Sequence, residues 1–87
     1  MNKKQRKTLE TIFKLPVPAD IKWSDIEALF LGLNGDVTEG NGSRVRVELN
    51  GVKAVFHRPH PRKETDKGAV VSVRKFLINA GVNYDEI

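Results

Sequence analysis

Both histidines of this 87-residue chain, His57 and His60, fall in one short stretch, and cationic residues surround them. The neighbouring cations are Arg58, Arg62 and Lys63. An imidazole exchanges protons near pH 7, and guanidinium and ammonium groups bind phosphate oxygens. The stretch therefore combines groups suited to proton transfer with groups suited to a phosphate backbone.

The composition is typical of a single small domain. Hydrophobic residues make up 39% of the chain and charged residues 30%, and the net charge of +4 favours a polyanionic or acidic partner. No apolar run approaches the roughly 20 residues that span a bilayer. Because the chain has no cysteine, a disulfide framework and a thiolate metal site are excluded. We expect a cytoplasmic protein without a membrane partner.

Hydrophobic periodicity predicts six elements in the order α-α-β-β-β-α. A capping box formed by Ser24 and Glu27 is expected to begin the second helix, and the Asn34–Gly35 pair to end it. Trp23, just before that helix, is expected to pack in the core. The other predicted helices cover residues 3–14 and 68–80, and the predicted strands cover residues 36–39, 44–49 and 52–57. This pattern predicts an α+β fold with helices on one face of an antiparallel sheet.

The Asn50–Gly51 pair predicts a tight hairpin between the last two strands, with partner residues whose numbers sum to 101. Apolar side chains then share one face of the sheet. The opposite face carries Arg44, Arg46, Glu48, Lys53, Val55 and His57. On that face Glu48 is expected to form an ion pair with Lys53, and Arg44 to lie opposite His57 with Cβ atoms about 5 Å apart.

Four features follow one another in the chain: Gly42-Ser43, the hairpin, His60-Pro61-Arg62-Lys63-Glu64, and Lys67-Gly68 followed by a helix. In this order they resemble the HicA-type mRNA interferase toxins. The resemblance covers about residues 24–82 and implies one domain, 1–87, in which residues 1–19 are an added helix and linker. It also implies a fold like a double-stranded-RNA-binding domain, and metal-independent cleavage of mRNA without a cofactor. The implied partners are mRNA and a HicB-type antitoxin, which forms a hetero-oligomer with the toxin.

The chain departs from the family pattern at one position. The family usually has a catalytic histidine directly after the Gly-Ser pair, and this chain has Arg44 there. Since His57 is predicted to lie directly across the ladder, we predict that His57 is the general base. Arg44 and Arg46 would then bind phosphate oxygens. His60 is a further catalytic candidate, although the prolines on both sides favour a structural role in which the imidazole bonds a backbone carbonyl.

The other cations are predicted to contact the RNA backbone, with an ordinary solvated basic surface as the alternative. They are Arg46, Lys53, Arg58, Arg62, Lys63 and Lys67. No metal site is predicted, because the two histidines lack a third strong ligand nearby. Two functions are left open: an endoribonuclease toxin, and a non-catalytic RNA-binding or antitoxin-binding module in which Arg44 has replaced the essential base.

Overall fold

Three helices and a three-stranded antiparallel sheet make up the fold, in a computed structural model that describes residues 1–84. The predicted α+β class and the order α-α-β-β-β-α are confirmed. The elements are α1 (Lys3–Ile12), α2 (Trp23–Gly32), β1 (Asp36–Glu39), β2 (Arg44–Leu49), β3 (Val52–His57) and α3 (Lys67–Asn79). None of the helices within residues 1–84 is both long and apolar enough to cross a membrane.

The β2–β3 hairpin has the predicted register, with all six partner pairs summing to 101. Asn50 and Gly51 both have positive φ angles, 51° and 82°, as a two-residue hairpin loop requires. The Asn50 side chain also donates a 2.8 Å hydrogen bond to the carbonyl of Ala80, which joins the hairpin tip to the end of α3. Alternate residues of β2 are buried, so the helices cover one face of the sheet and solvent covers the other.

The start of α2 differs from the prediction. The helix begins at Trp23, its N-cap is Lys22, and no side chain caps it, so the predicted Ser24–Glu27 capping box is wrong. The carboxylate of Glu27 is instead bonded to the side chains of Trp23 and Arg58. The tertiary partner therefore displaces the local cap.

A capping box does occur at the start of α1, where the side chains of Asn2 and Gln5 bond reciprocally to backbone N–H groups at 2.8 and 3.0 Å. Leu9 and Ile12 of this helix are fully buried in the same core as the rest of the chain. Arg74 of α3 donates hydrogen bonds to the carbonyl of Ile12 at 2.7 and 3.0 Å, which satisfies a terminal helix carbonyl. Helix α1 is therefore an integral layer over α2 and α3.

Four aromatic rings form the centre of the core and join α2, β3 and α3. Phe30 is fully buried and lies 5.8 Å from the ring of Phe56 and 5.6 Å from that of Phe76. Trp23 packs on Phe56 at 5.7 Å, which confirms its predicted place in the core. Because Phe56 immediately precedes His57, this packing fixes the backbone from which the candidate base projects.

Candidate nucleic-acid interface

The solvent-exposed face of the sheet, here called the open face, carries three rows of cross-strand neighbours. The rows are Gly40–Arg44–His57, Thr38–Arg46–Val55 and Asp36–Glu48–Lys53. Two of the rows hold a cation in the central strand, and the first row adds an imidazole. The structure therefore brings the predicted base and both predicted phosphate-binding arginines to one surface.

Arg44 and His57 are direct partners in the ladder, as predicted. The next pair, on the side away from the Asn50–Gly51 loop, is Ser43 and Arg58. It is joined by a 2.9 Å hydrogen bond from the Arg58 N–H to the Ser43 carbonyl. Since hydrogen-bonded and non-hydrogen-bonded pairs alternate, Arg44 and His57 form a non-hydrogen-bonded pair, in which Cα atoms are about 4.5 Å apart. Their side chains leave the sheet side by side at the closest spacing that an antiparallel ladder allows.

Gly40 leaves space on the outer flank of this pair. Its N–H donates a 2.9 Å hydrogen bond to the carbonyl of Arg44, which makes Gly40 the neighbour of Arg44 in the first row. A Cβ atom at Gly40 would lie 3.2 Å from the Cβ of Arg44, a crowded contact. The missing side chain therefore keeps one side of Arg44 open, a role that sequence reasoning did not assign.

The second and third rows carry the remaining predicted contacts of the open face. Arg46 is exposed between Thr38 and Val55, and Val55 is itself 55% exposed. Lys53 is the register partner of Glu48, yet the two described side chains form no ion pair, so that expectation is wrong. Because cross-strand pairing does not neutralise Lys53, its ammonium group is available to an external anion.

Arg58 points to the opposite side of the sheet from His57, and two carboxylates hold its guanidinium. It donates to both carboxylate oxygens of Glu27 in α2, at 2.8 and 3.0 Å, and to Glu39 of β1 at 2.8 Å. The indole N–H of Trp23 donates to the same Glu27 carboxylate. Arg58 was predicted to contact RNA, but its donors are directed at protein carboxylates.

The two ion pairs differ in their exposure to water. The Glu27 side chain is 18% exposed and the Glu39 side chain 74%, so the pair with Glu27 is the less screened. Hydrogen bonding from Arg58 lowers the pKa of the Glu27 carboxyl, against an opposing effect of burial. Because this pKa is lowered, the ionised Glu27 carboxylate stabilises the fold at pH values above the ordinary pKa of a glutamate. This contribution is lost as the pH falls through the lowered pKa.

The segment after Arg58 borders a second basic surface beside the start of α2. Its backbone pairs with the start of that helix, through a 3.0 Å bond from the Trp23 N–H to the Lys63 carbonyl, and with the residues before the helix, through a 2.7 Å bond from the Thr65 N–H to the Ile21 carbonyl. Together they line a depression, here called the basic cleft, formed by Lys22, Trp23, Ser24, Arg58, Pro59, Pro61, Arg62 and Lys63. Sequence reasoning assigned Arg62 and Lys63 to RNA contact and missed Lys22, which only this tertiary pairing brings beside them.

The last two predicted site residues lie apart from the open face. His60 is exposed in the loop, and its imidazole makes no hydrogen bond to any residue of the described chain, so the expected bond to a backbone carbonyl is absent. Lys67 is the exposed first residue of α3, where Asp66 caps the helix by accepting from the Ala69 N–H at 2.7 Å. Within residues 1–84, no three His, Cys, Asp or Glu side chains converge as metal ligands.

The chain was compared with models of known protein families. The model described as the HicA toxin of bacterial toxin–antitoxin pairs matches residues 23–82, more than half of the chain. No curated protein and no solved structure matches the chain. The matched residues include the sheet, the Arg44–His57 pair and the basic cleft except Lys22, whereas α1 lies outside them.

Proposed function

Because the chain belongs to the HicA family of toxins from bacterial toxin–antitoxin pairs, we propose that it is a metal-independent endoribonuclease. It cleaves mRNA in the cytoplasm, with His57 as the general base. Arg44 and Arg46 bind the phosphate at the cleaved bond. A HicB-type antitoxin neutralises it in a hetero-oligomer.

The observation that carries this proposal is the side-by-side arrangement of Arg44 and His57 on the open face. A metal-free ribonuclease needs a base for the ribose 2′-OH and cations for the charge that develops on phosphorus. An imidazole supplies the base near neutral pH, and two neighbouring guanidinium groups supply fixed positive charge. Arg46, one row away on the same strand face, adds the second of these groups.

The proposed reaction is an internal transfer of the phosphoryl group. His57 accepts the proton of the 2′-OH while the 2′-oxygen forms a bond to the adjacent phosphorus. The bond from phosphorus to the 5′-oxygen breaks, and that oxygen takes a proton from solvent water at this exposed site. The products are a 2′,3′-cyclic phosphate on one fragment and a 5′-hydroxyl on the other.

The remaining cations support binding of the RNA on both sides of this bond. Lys53 lies at the far end of the open face, and Arg62 and Lys63 lie in the basic cleft beyond His57. Ammonium and guanidinium groups contact phosphates without reading the sequence, so these contacts give low sequence specificity. Lys67 adds one more positively charged side chain, at the start of α3.

The cleavage products test this proposal directly. Incubation with an RNA oligonucleotide in EDTA is expected to give fragments with 2′,3′-cyclic phosphate and 5′-hydroxyl ends, detected by mass spectrometry. A matched oligonucleotide with one 2′-deoxynucleotide is expected to resist cleavage at that nucleotide alone, because the attacking oxygen is missing. Ends with a 3′-hydroxyl and a 5′-phosphate, or equal cleavage at the deoxynucleotide, would rule out the proposed mechanism.

A second candidate function is a non-catalytic RNA-binding or antitoxin-binding module. It is favoured by the arginine at position 44, where the family resemblance implies a histidine, and by the absence of a described hydrogen bond that would orient the His57 imidazole. Stable RNA binding by the wild-type protein with no cleavage at any site would identify this function.

A further inference from the structure

We propose that the Glu27–Arg58–Glu39 cluster is the positioning device of the candidate site. The cluster lies on the covered side of the sheet. It holds in place the end of the sheet where Arg44 and His57 are paired on the open face. The effect of the cluster on catalysis rests on the proposed endoribonuclease function. Its effect on the geometry of Arg44 and His57 can be tested without measuring RNA cleavage.

Arg58 is directly connected to both sides of the Arg44–His57 pair. Arg58 follows His57 directly, and alternation along the strand sends its side chain to the face opposite the imidazole. Its backbone N–H donates to the Ser43 carbonyl at 2.9 Å, and Ser43 directly precedes Arg44. Any shift of Arg58 is therefore transmitted through one peptide unit to His57 and through one hydrogen bond to the residue beside Arg44.

The Arg58 guanidinium joins three elements of the fold. Glu27 belongs to α2, Glu39 ends β1, and Arg58 extends β3. The guanidinium thus crosses from one edge strand to the other on the covered side, next to the 40–43 turn that leads into Arg44. Bidentate pairing with Glu27 fixes the plane of the guanidinium as well as its position.

Glu27 is itself held in place by a further side chain. Its carboxylate accepts from the Trp23 indole N–H, and Trp23 is buried against Phe56, the residue before His57. The cluster therefore holds Arg58 and the aromatic core holds Phe56, so the residues on both sides of His57 are fixed. Nothing in this arrangement contacts the open face, so Glu27 and Arg58 act on the reacting groups only through His57 and Arg44.

The test compares two substitutions that each remove one carboxylate charge from α2. Glu27→Gln removes the charge that holds Arg58 and keeps an oxygen for Trp23. Asp25→Asn removes the partner of Lys4, a 3.5 Å ion pair on the other side of the helix, and serves as the control. The primary readouts are the nuclear Overhauser contacts between the His57 ring and the Arg44 side chain, and the exchange rate of the Arg58 amide.

We expect Glu27→Gln to weaken those contacts and to accelerate Arg58 amide exchange, and Asp25→Asn to leave both unchanged. In cleavage assays, kcat of Glu27→Gln is expected to fall between roughly 10-fold and 10²-fold with little change in KM, the order of loss that a misplacement of about 1 Å can cause. Arg58→Lys, which keeps the charge and loses the bidentate geometry, is expected to act in the same direction.

The inference is overturned if folded Glu27→Gln and Arg58→Lys both retain the wild-type His57–Arg44 contacts and Arg58 exchange rate. The same result with Asp25→Asn as with Glu27→Gln would also overturn it, because the effect would then reflect general loss of stability. Since these readouts need no RNA, a wild-type protein that cleaves nothing would defeat the proposed function and leave the positioning test valid.

Discussion

Replacing His57 by alanine is expected to lower the rate of RNA cleavage by about 10²- to 10⁴-fold, the usual contribution of a positioned general base. The imidazole is exposed on the open face and makes no described hydrogen bond, so its removal should leave the fold intact. The change in the free energy of unfolding should stay within about 0.5 kcal/mol, as for ordinary surface substitutions. Single-turnover cleavage and urea denaturation measure the two quantities on the same protein.

His60→Ala is the matched control for this experiment, because it removes the other exposed imidazole of the same segment. We expect a clearly smaller loss of cleavage, since His60 lies in the loop and not in the row that contains Arg44. Growth after induction should follow the same order, with arrest by the wild type and release by His57→Ala. Cleavage at the wild-type rate by a folded His57→Ala protein would refute the role of His57 as base.

Replacing Phe30 by alanine is expected to reduce the free energy of unfolding by about 3–5 kcal/mol, the cost of removing a fully buried aromatic side chain. Phe30 is fully buried and contacts the rings of Trp23, Phe56 and Phe76, so the resulting cavity would open between α2, β3 and α3. A small domain has only about 5–15 kcal/mol of stability in total. The variant should therefore lose a large part of its stability and unfold at a clearly lower urea concentration than the wild type.

Urea denaturation followed by tryptophan fluorescence measures this loss. Leu31→Ala is the control on the same helix, because Leu31 is 58% exposed and its truncation removes little buried area. It should change the free energy of unfolding by no more than about 0.5 kcal/mol. A Phe30→Ala protein as stable as Leu31→Ala would show that the aromatic cluster is not the centre of the core.

The sheet could be predicted from the sequence because its determinants are local. Asn50–Gly51 sets the loop, and alternation along β2 sets the face, so the position of Arg44 opposite His57 follows from the hairpin alone. The family was also predicted from short motifs, and the match over residues 23–82 confirms it. These features depend on residues that are close together in the chain.

The features that were missed depend on tertiary contacts. Glu27 was assigned to a local cap, whereas its partner Arg58 lies 31 positions away, and Arg58 reaches Glu39 across 19 positions. Lys22 joins the basic cleft only because the loop after His57 pairs with the start of α2. Charge alone does not show which cations are held by carboxylates and which are available to an external anion.

An imidazole at either position of the Arg44–His57 pair is expected to serve the same chemistry, since the two side chains leave the sheet side by side. Exchanging the two residues tests it. The single variant His57→Arg is expected to lose about 10²- to 10⁴-fold in cleavage rate. The double variant Arg44→His with His57→Arg returns an imidazole and an arginine to the same row.

The decisive measurement is the single-turnover cleavage rate of the double variant, compared with the wild type and with His57→Arg. The pairing geometry predicts partial recovery, to at least about 10-fold above His57→Arg, because the double variant returns an imidazole to the same row at one strand spacing of about 4.8 Å from its original place. A folded double variant that is as inactive as His57→Arg would contradict the claim that this pair is the catalytic centre.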